Sequence, residues 1–256
     1  MGKHLGTQGD TSEVLSDSFR RIPDNTIRLM NENPTVYVVD DDKAVRDSLK
    51  WLIESVGLQV KTYETAMEFL NDCEGANAGA LVVDVRLPGM SGLDLQDQLK
   101  KRGIRLPVII ITGHGDVPVA IRAMKAGALD FIEKPFSDQV LLDRIRDALE
   151  ADAERRESQM QRGEVEARLK RLTPRERQVM DLVVQGRLNK QIAAELDLSH
   201  KTIEVHRAHV MEKMNAGSLA ELVRMAVVIE RGEKEAAAAA TSSSSSSSST
   251  PTPHTS

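Results

Sequence analysis

Three aspartate positions and one lysine are the residues of this chain whose types and spacing could do chemistry: the pair Asp40–Asp41, the lone Asp84, and Lys134. Carboxylates gathered in one place form a hard oxygen site suited to Mg²⁺. A carboxylate beside a divalent ion is also a possible phosphoryl acceptor. The pattern therefore points first to a phosphorylation switch. Each residue closes a short apolar run: VYVV before Asp40, ALVV before Asp84, LDFIE before Lys134. Runs of this kind read as buried parallel strands.

The elements that must position these residues alternate strand and helix through residues 34–150. VYVVD is a strand, and Ala44 to Val56 an amphipathic helix with Val45, Leu49, Leu52, Ile53 and Val56 on one side, closed by Gly57. LQVKTY is a half-polar edge strand, followed by a helix from Ala66 to Asn71. ALVVD, PVIIIT and ALDFIEKP are further strands. SGLDLQDQLKKR, a stretch from Pro118 to Ala126 and a stretch from Ser137 are helices. Five such repeats predict a parallel sheet with helices on both faces. In the order 2-1-3-4-5, strands one and three are neighbours at the topological switch point, where ligands bind at the carboxyl ends of strands. Asp40, Asp41 and Asp84 then meet, and their repulsion calls for a cation. Thr112 ends the fourth strand and Lys134 the fifth. A hydroxyl and an ammonium there could both reach a phosphoryl group on Asp84.

The segments VYVVDDDKAVRDSL, VVDVRLPGMSGLDL and VIIITGHGDVPVAIRAMKAGALDFIEKPF together resemble the receiver domain of two-component response regulators, in the FixJ branch. The resemblance implies a flavodoxin-like (βα)5 fold over residues 34–150 and a sensor histidine kinase as phosphate donor to Asp84. It implies Mg²⁺ held by Asp41, Asp84 and the backbone carbonyl of Arg86, with Asp40 acting through water and Asp42 outside the contact shell. It makes Thr112 and Phe131 the switch pair beside Lys134, and expects a cis bond at Lys134-Pro135, which proline makes credible. His114 to Phe136 would be the moving face and the dimer face, with His114 itself a solvent-facing loop residue.

Residues 151–172 read as a charged helical linker, either a solvated helix or a short coiled coil. Residues 173–232 carry short helices and no strand pattern. Thr173-Pro174-Arg175-Glu176 is a capping box with proline at the first helical position. Asn189 is a candidate cap for NKQIAAELD, and Ser218 opens the last helix. Within NKQIAAELDLSHKTIEVHRAHVMEKM, Ile192, Ala193, Leu196, Leu198, Ile203, Val210 and Met214 face inward. Lys201, Glu204, Val205, Ala208 and Glu212 form the other side of the second helix. From spacing alone this is a helix-turn-helix or a plain helical bundle. The stretch from Leu172 to Val223 resembles the four-helix LuxR-type (NarL-type) DNA-binding domain. By that resemblance Glu204, Val205 and Ala208 face base edges. Lys201, Thr202, His206 and Arg207 touch phosphates, with Lys190 and Asn189 nearby. Double-stranded promoter DNA, a homodimer formed on phosphorylation, and RNA polymerase are the implied partners.

Composition bounds the rest. The 256 residues carry a net charge of −5. Residues 34–150 hold 19 acidic against 14 basic side chains and exclude nucleic-acid binding by that half, whereas 173–232 are nearly neutral. Near-neutrality suggests modest monomer affinity and a need for dimers on two half-sites. The single cysteine, Cys73, allows no internal disulfide and fits a reducing cytoplasm. No apolar run reaches the ~18 residues of a membrane span, and the N-terminus lacks a secretion signal. Residues 1–33 read as a flexible tail with one transiently helical patch, FRRIPDNTIRLM, and 233–256 as a disordered Ala/Ser-rich tail. Two other classes stay open: an aspartyl-phosphate hydrolase, disfavoured by Arg86 two positions after the nucleophile, and an interaction-only adaptor.

Overall fold

The computed structural model describes residues 34–73, 78–113 and 117–244. The expectations for the tail 1–33, for His114 and for the serine run beyond Ser244 lie outside them. The chain divides into two compact units, Met1–Arg156 and Glu157–Ser256.

The first unit is a five-stranded parallel sheet in the order β2-β1-β3-β4-β5. Its strands are β1 (Thr35–Val39), β2 (Gln59–Tyr63), β3 (Gly79–Asp84), β4 (Val108–Thr112) and β5 (Asp130–Glu133). Its helices are α1 (Lys43–Ser55), α2 (Ala66–Asp72), α3 (Gly92–Lys101), α4 (Val117–Lys125) and the start of α5 (Asp138–Leu169). Strand pleating sends alternate side chains to opposite faces. Tyr37, Val39, Leu81, Val83 and Ile110 pack with Phe69, Leu95 and Leu99 of α2 and α3. Val36, Val38, Val82, Ile109 and Ile111 pack with Leu49, Ile53, Leu141 and Ile145 of α1 and α5. Every residue of β3 and β4 is buried, whereas β2 is a partly exposed edge. Helix starts follow from side-chain caps: Asp42 accepts from Ala44 N, Thr65 from Glu68 N, and Ser91 from Asp94 N.

Gly79 opens β3 at φ 144°, and a Cβ there would stand 1.9 Å from the Thr35 carbonyl oxygen. Only glycine lets β3 lie so close to β1. The unit extends past the boundary at 150 read from sequence. Asp152 on α5 is buried, accepts from Gly79 N at 3.0 Å, and pairs with Arg155 and Arg156.

The second unit contains the end of α5, α6 (Pro174–Val184), α7 (Asn189–Leu196), α8 (His200–Met214) and α9 (Leu219–Ser244). Val179, Met180, Val183, Ile192, Ile203, Val210, Met214 and Leu222 form its core, with Val165 of α5 buried among them and Leu169 and Leu172 packed against it. The linker read as a solvated helix or coiled coil thus supplies core residues at its end, a contribution hidden by its charged composition. The capping box at Thr173 and Glu176 is formed. Asn189 is not the cap of α7. Leu188 holds that position, its N–H donating to Gln191 Oε1 at 2.9 Å. Asp197 and Asn215, both in the left-handed region, end α7 and α8. α9 continues beyond 232 into the alanine run, as alanine's helix propensity favours. Among the described residues no helix is long and apolar enough to cross a membrane.

Candidate functional site

Register brings the acids together. Val39 pairs with Val83, so Asp40, one residue past β1, stands beside Asp84, the last residue of β3. Both are buried, at 3% and 8% exposure. Lys134, one residue past β5, reaches across: its Nζ lies 2.9 Å from Asp40 Oδ2 and 2.9 Å from Asp84 Oδ1. Burial alone would lower the Lys134 pKa, but the hydrogen bonds to the two carboxylates outweigh it and the ammonium is held above its ordinary value. The Lys134 N–H also donates to the Thr112 carbonyl at 2.7 Å, fastening the ends of β4 and β5. Lys134-Pro135 is cis.

The remaining Asp84 oxygen, Oδ2, accepts from Arg86 N. Gly92, the first residue of α3, lies against the Asp84 backbone, and a Cβ there would be 2.3 Å from the Asp84 carbonyl oxygen. Asp40 Oδ1 accepts from Asp42 N at 2.9 Å. Asp42 itself caps α1. Thr112 is buried at the end of β4, and Phe131 on β5 is half-buried against the core.

Asp41 is exposed at the rim. Among the described residues no three His, Cys, Asp or Glu side chains stand close enough to hold a metal. The structure therefore brings Asp40, Asp84 and Lys134 together, and leaves Asp41 outside that contact. Sequence reasoning missed Arg46. From α1 it donates through Nη1 to the Asp40 carbonyl at 2.7 Å, and its Nη2 lies 3.3 Å from Glu64 Oε2. Its signal was a basic residue facing inward one turn into a helix that follows an acidic pair.

In the second unit α8 buries Ile203, Val210 and Met214 and exposes Lys201, Glu204, Val205 and Ala208. Thr202, His206 and Arg207 are half-buried, and Lys190 on α7 is exposed. Arg207 Nη1 donates to Asn189 Oδ1 at 2.8 Å, so α7 orients a basic residue of α8. Glu176 ties α8 to α6. Lys213 Nζ lies 2.6 and 2.8 Å from its two oxygens, and Thr173 N donates at 2.8 Å. The Lys213 hydrogen bond and that backbone N–H hold the Glu176 carboxyl down at about 2. The sequence marked Glu176 only as half of a capping box.

A doubly wound receiver with acids at the switch point, followed by a helix-turn-helix whose second helix exposes a mixed stripe, defines a phospho-signalling regulator of transcription. Family comparison agrees over both parts. Residues 36–146 match the response regulator receiver domain, and residues 170–226 match the bacterial regulatory proteins of the luxR family. The chain belongs to the two-component response regulators with a LuxR-type DNA-binding domain, and is a transcriptional regulator rather than an enzyme.

Particular relatives cover most of it. It is 49% identical over 199 residues to the transcriptional regulatory protein FixJ of Azorhizobium caulinodans, spanning 78% of this chain and 94% of that one. It is 47% identical over 197 residues to the response regulator protein TmoT of Ectopseudomonas mendocina, spanning 77% and 90%. Among solved structures, the response regulator StyR matches with a TM-score of 0.69 at 46% identity, over 76% of this chain and 98% of that one. Full-length FixJ from B. japonicum matches with a TM-score of 0.50 at 45% identity, over 77% and 98%.

Proposed function

We propose that Asp84 accepts a phosphoryl group from a sensor histidine kinase, and that this promotes dimerisation and promoter binding. The observation that carries the reading is the pairing of two buried carboxylates with the single ammonium of Lys134. Asp84 Oδ1 and Oδ2 are the candidate nucleophilic oxygens. In the transfer, an Asp84 oxygen–phosphorus bond forms as the kinase's nitrogen–phosphorus bond breaks, and the imidazole, carrying a proton on its other ring nitrogen, leaves neutral. Lys134 has three N–H donors and uses two on the acids. The third can meet a phosphoryl oxygen without breaking either contact.

The donor set fits Mg²⁺. Its side-chain ligands are oxygens, and the two buried carboxylates exceed the one ammonium by a unit of negative charge. Asp84, Asp41, the Arg86 carbonyl and, through water, Asp40 would hold the ion. When bound, it supplies charge neutralisation for the phosphoryl oxygens. Thr112 and Phe131 would be the switch pair. Support for dimerisation comes from α4, where Val117, Ile121 and Met124 lie exposed on one face. On α8, Glu204, Val205 and Ala208 would read bases. Lys201, Thr202, His206, Arg207 and Lys190 would contact phosphates. The implied compartment is the cytoplasm, and RNA polymerase is the implied further partner.

The test is phosphoryl uptake from a labelled small-molecule donor, followed by sedimentation and DNA binding. Wild type should take up label, dimerise and bind promoter DNA more tightly. Asp84→Asn should take up none; label retained in that variant would sink the acceptor assignment.

A further inference from the structure

Every polar group of Asp40 is engaged, and each partner comes from a different part of the receiver. Its N–H donates to the Tyr63 carbonyl of β2 at 3.3 Å, Oδ1 accepts from Asp42 N at 2.9 Å, and Oδ2 meets Lys134 Nζ at 2.9 Å. Its carbonyl accepts from Arg46 Nη1 at 2.7 Å. β1 ends at Val39, so the peptide that joins Asp40 to Asp41 lies beyond the strand. A peptide unit is planar and carries the Cα of the next residue in its plane. Fixing the Asp40 carbonyl oxygen therefore fixes the direction in which the chain presents Asp41.

Arg46 is placed to hold that oxygen. It lies one turn into α1, and the Asp42 cap sets where α1 starts. Its side chain is only 12% exposed. A guanidinium that deep needs hydrogen-bonded partners. One is Glu64, just past β2, whose side chain is 63% exposed and stands 3.3 Å from Nη2. An ion pair to so open a carboxylate is weak. The shorter contact is the one to the Asp40 carbonyl. Asp41 is exposed at the rim, outside the contact of Asp40, Asp84 and Lys134, so its placement depends on the backbone that carries it.

We propose that Arg46 is a positioning residue for Mg²⁺ binding and, through it, for phosphoryl uptake. By gripping the Asp40 carbonyl it holds the Asp40–Asp41 peptide in the orientation that presents Asp41 to the ion. The inference rests on the reading of Asp41 and Asp84 as metal ligands. Arg46 is not itself a ligand, because a guanidinium has donors and no acceptor. Glu64 steadies the guanidinium from the β2 side.

The experiment titrates the full-length, ¹⁵N-labelled protein with MgCl₂ and follows the backbone amides of Asp41 and Arg86. In parallel, uptake from a labelled small-molecule phosphoryl donor is measured against Mg²⁺ concentration. Arg46→Met should raise the Mg²⁺ dissociation constant about tenfold, the scale of losing a group that orients a metal ligand. The half-saturating Mg²⁺ for uptake should rise by the same factor, while the rate at saturating Mg²⁺ stays within about twofold. Arg46→Lys replaces the fork by a single point donor and should lose only about threefold. Ile53→Val, a core change in the same helix, should lower the melting temperature and leave Mg²⁺ affinity within about twofold. Unchanged Mg²⁺ affinity in Arg46→Met and Arg46→Lys would overturn the proposal. So would an equal loss of affinity in Ile53→Val, or a fall in the saturating rate with the Mg²⁺ dependence unchanged. If Asp41→Asn binds Mg²⁺ as tightly as wild type, the ligand reading fails first and this inference falls with it.

Discussion

Lys134→Met should unbalance the acid pocket in a way that can be measured without any kinase. Each carboxylate oxygen lies 2.9 Å from Nζ, so the two cannot be farther apart than about 5.8 Å. At an effective dielectric of ~20, each attraction is about 6 kcal/mol and the repulsion between the acids at least about 3 kcal/mol. Removing the ammonium deletes two attractions and leaves the repulsion. The recovered cost of burying the ammonium offsets several kcal/mol of this, and breaking a buried pair typically costs a net ~3–5 kcal/mol. For a domain of this size that is a fall of roughly 10 °C in melting temperature by calorimetry of the full chain. In an Asp84→Asn background only one of the two charge attractions remains to be lost, against the same recovered cost of burying the ammonium, so the same substitution should cost less than about half as much. Millimolar Mg²⁺ should restore Lys134→Met more than it raises wild type, because a cation that binds the folded pocket stabilises by mass action. The reasoning is refuted if Lys134→Met melts within about 2 °C of wild type in the absence of Mg²⁺. It is refuted equally if Asp84→Asn leaves the cost of losing Lys134 undiminished.

Other outcomes follow from the same geometry. The Glu176 carboxyl is held down at about 2 from an ordinary 4.5, so its contribution is complete above pH 4.5 and is lost as pH falls toward 2. Circular dichroism of the helical unit should show up to about 3 kcal/mol lost over that window, and Glu176→Gln should flatten the profile. Gly79→Ala, which sets a Cβ 1.9 Å from the Thr35 oxygen, should cost more than about 3 kcal/mol in denaturant melts. Gly57→Ala, at φ 82° in open space, should cost only about 1 kcal/mol. Arg207→Ala should weaken DNA binding across sequences and reduce the salt slope by about one, and Asn189→Ala should do part of the same by releasing Arg207. Glu204→Ala should instead relax base preference at one position by about 1–3 kcal/mol in a competition assay.

The parallel sheet was legible because its strands are continuous apolar runs bounded by glycine-capped helices, and strand order then placed Asp40 beside Asp84. Lys134 was legible as the end of a strand, but its position between two acids depends on side-chain reach that spacing does not encode. The resemblance made Asp41 and Asp84 fellow metal ligands, yet one is exposed and the other buried, with Asp42, the next residue, capping α1. Asp152 was invisible for a different reason. In a helix dense with arginine and glutamate, nothing marks the one carboxylate that turns inward to meet the β3 backbone. Asn189 illustrates a local rule overridden. Its side chain was available to cap α7, but it accepts from Arg207 instead, and Gln191 takes over the backbone N–H at the helix start.

A link from pocket to surface would run through Lys134 by two routes at once. Its ammonium reads the charge at β1 and β3, and its backbone N–H reads the position of the Thr112 carbonyl on β4. A phosphoryl group on Asp84 would add negative charge and bulk on one side of that ammonium. Where the Lys134 backbone follows its ammonium toward that group, the bond to the Thr112 carbonyl is strained or β4 is carried along. Thr112 pairs with Glu133 and Ile110 with Phe131, so the same displacement is felt two residues back on β5. Phe131 is only partly buried there, whereas every residue of β3 is buried. A substitution that filled the space around Phe131 without touching an acid should therefore leave phosphoryl uptake at Asp84 intact while uncoupling it from dimerisation. Loss of uptake in such a variant would mean that the ring supports the pocket itself rather than transmitting its state.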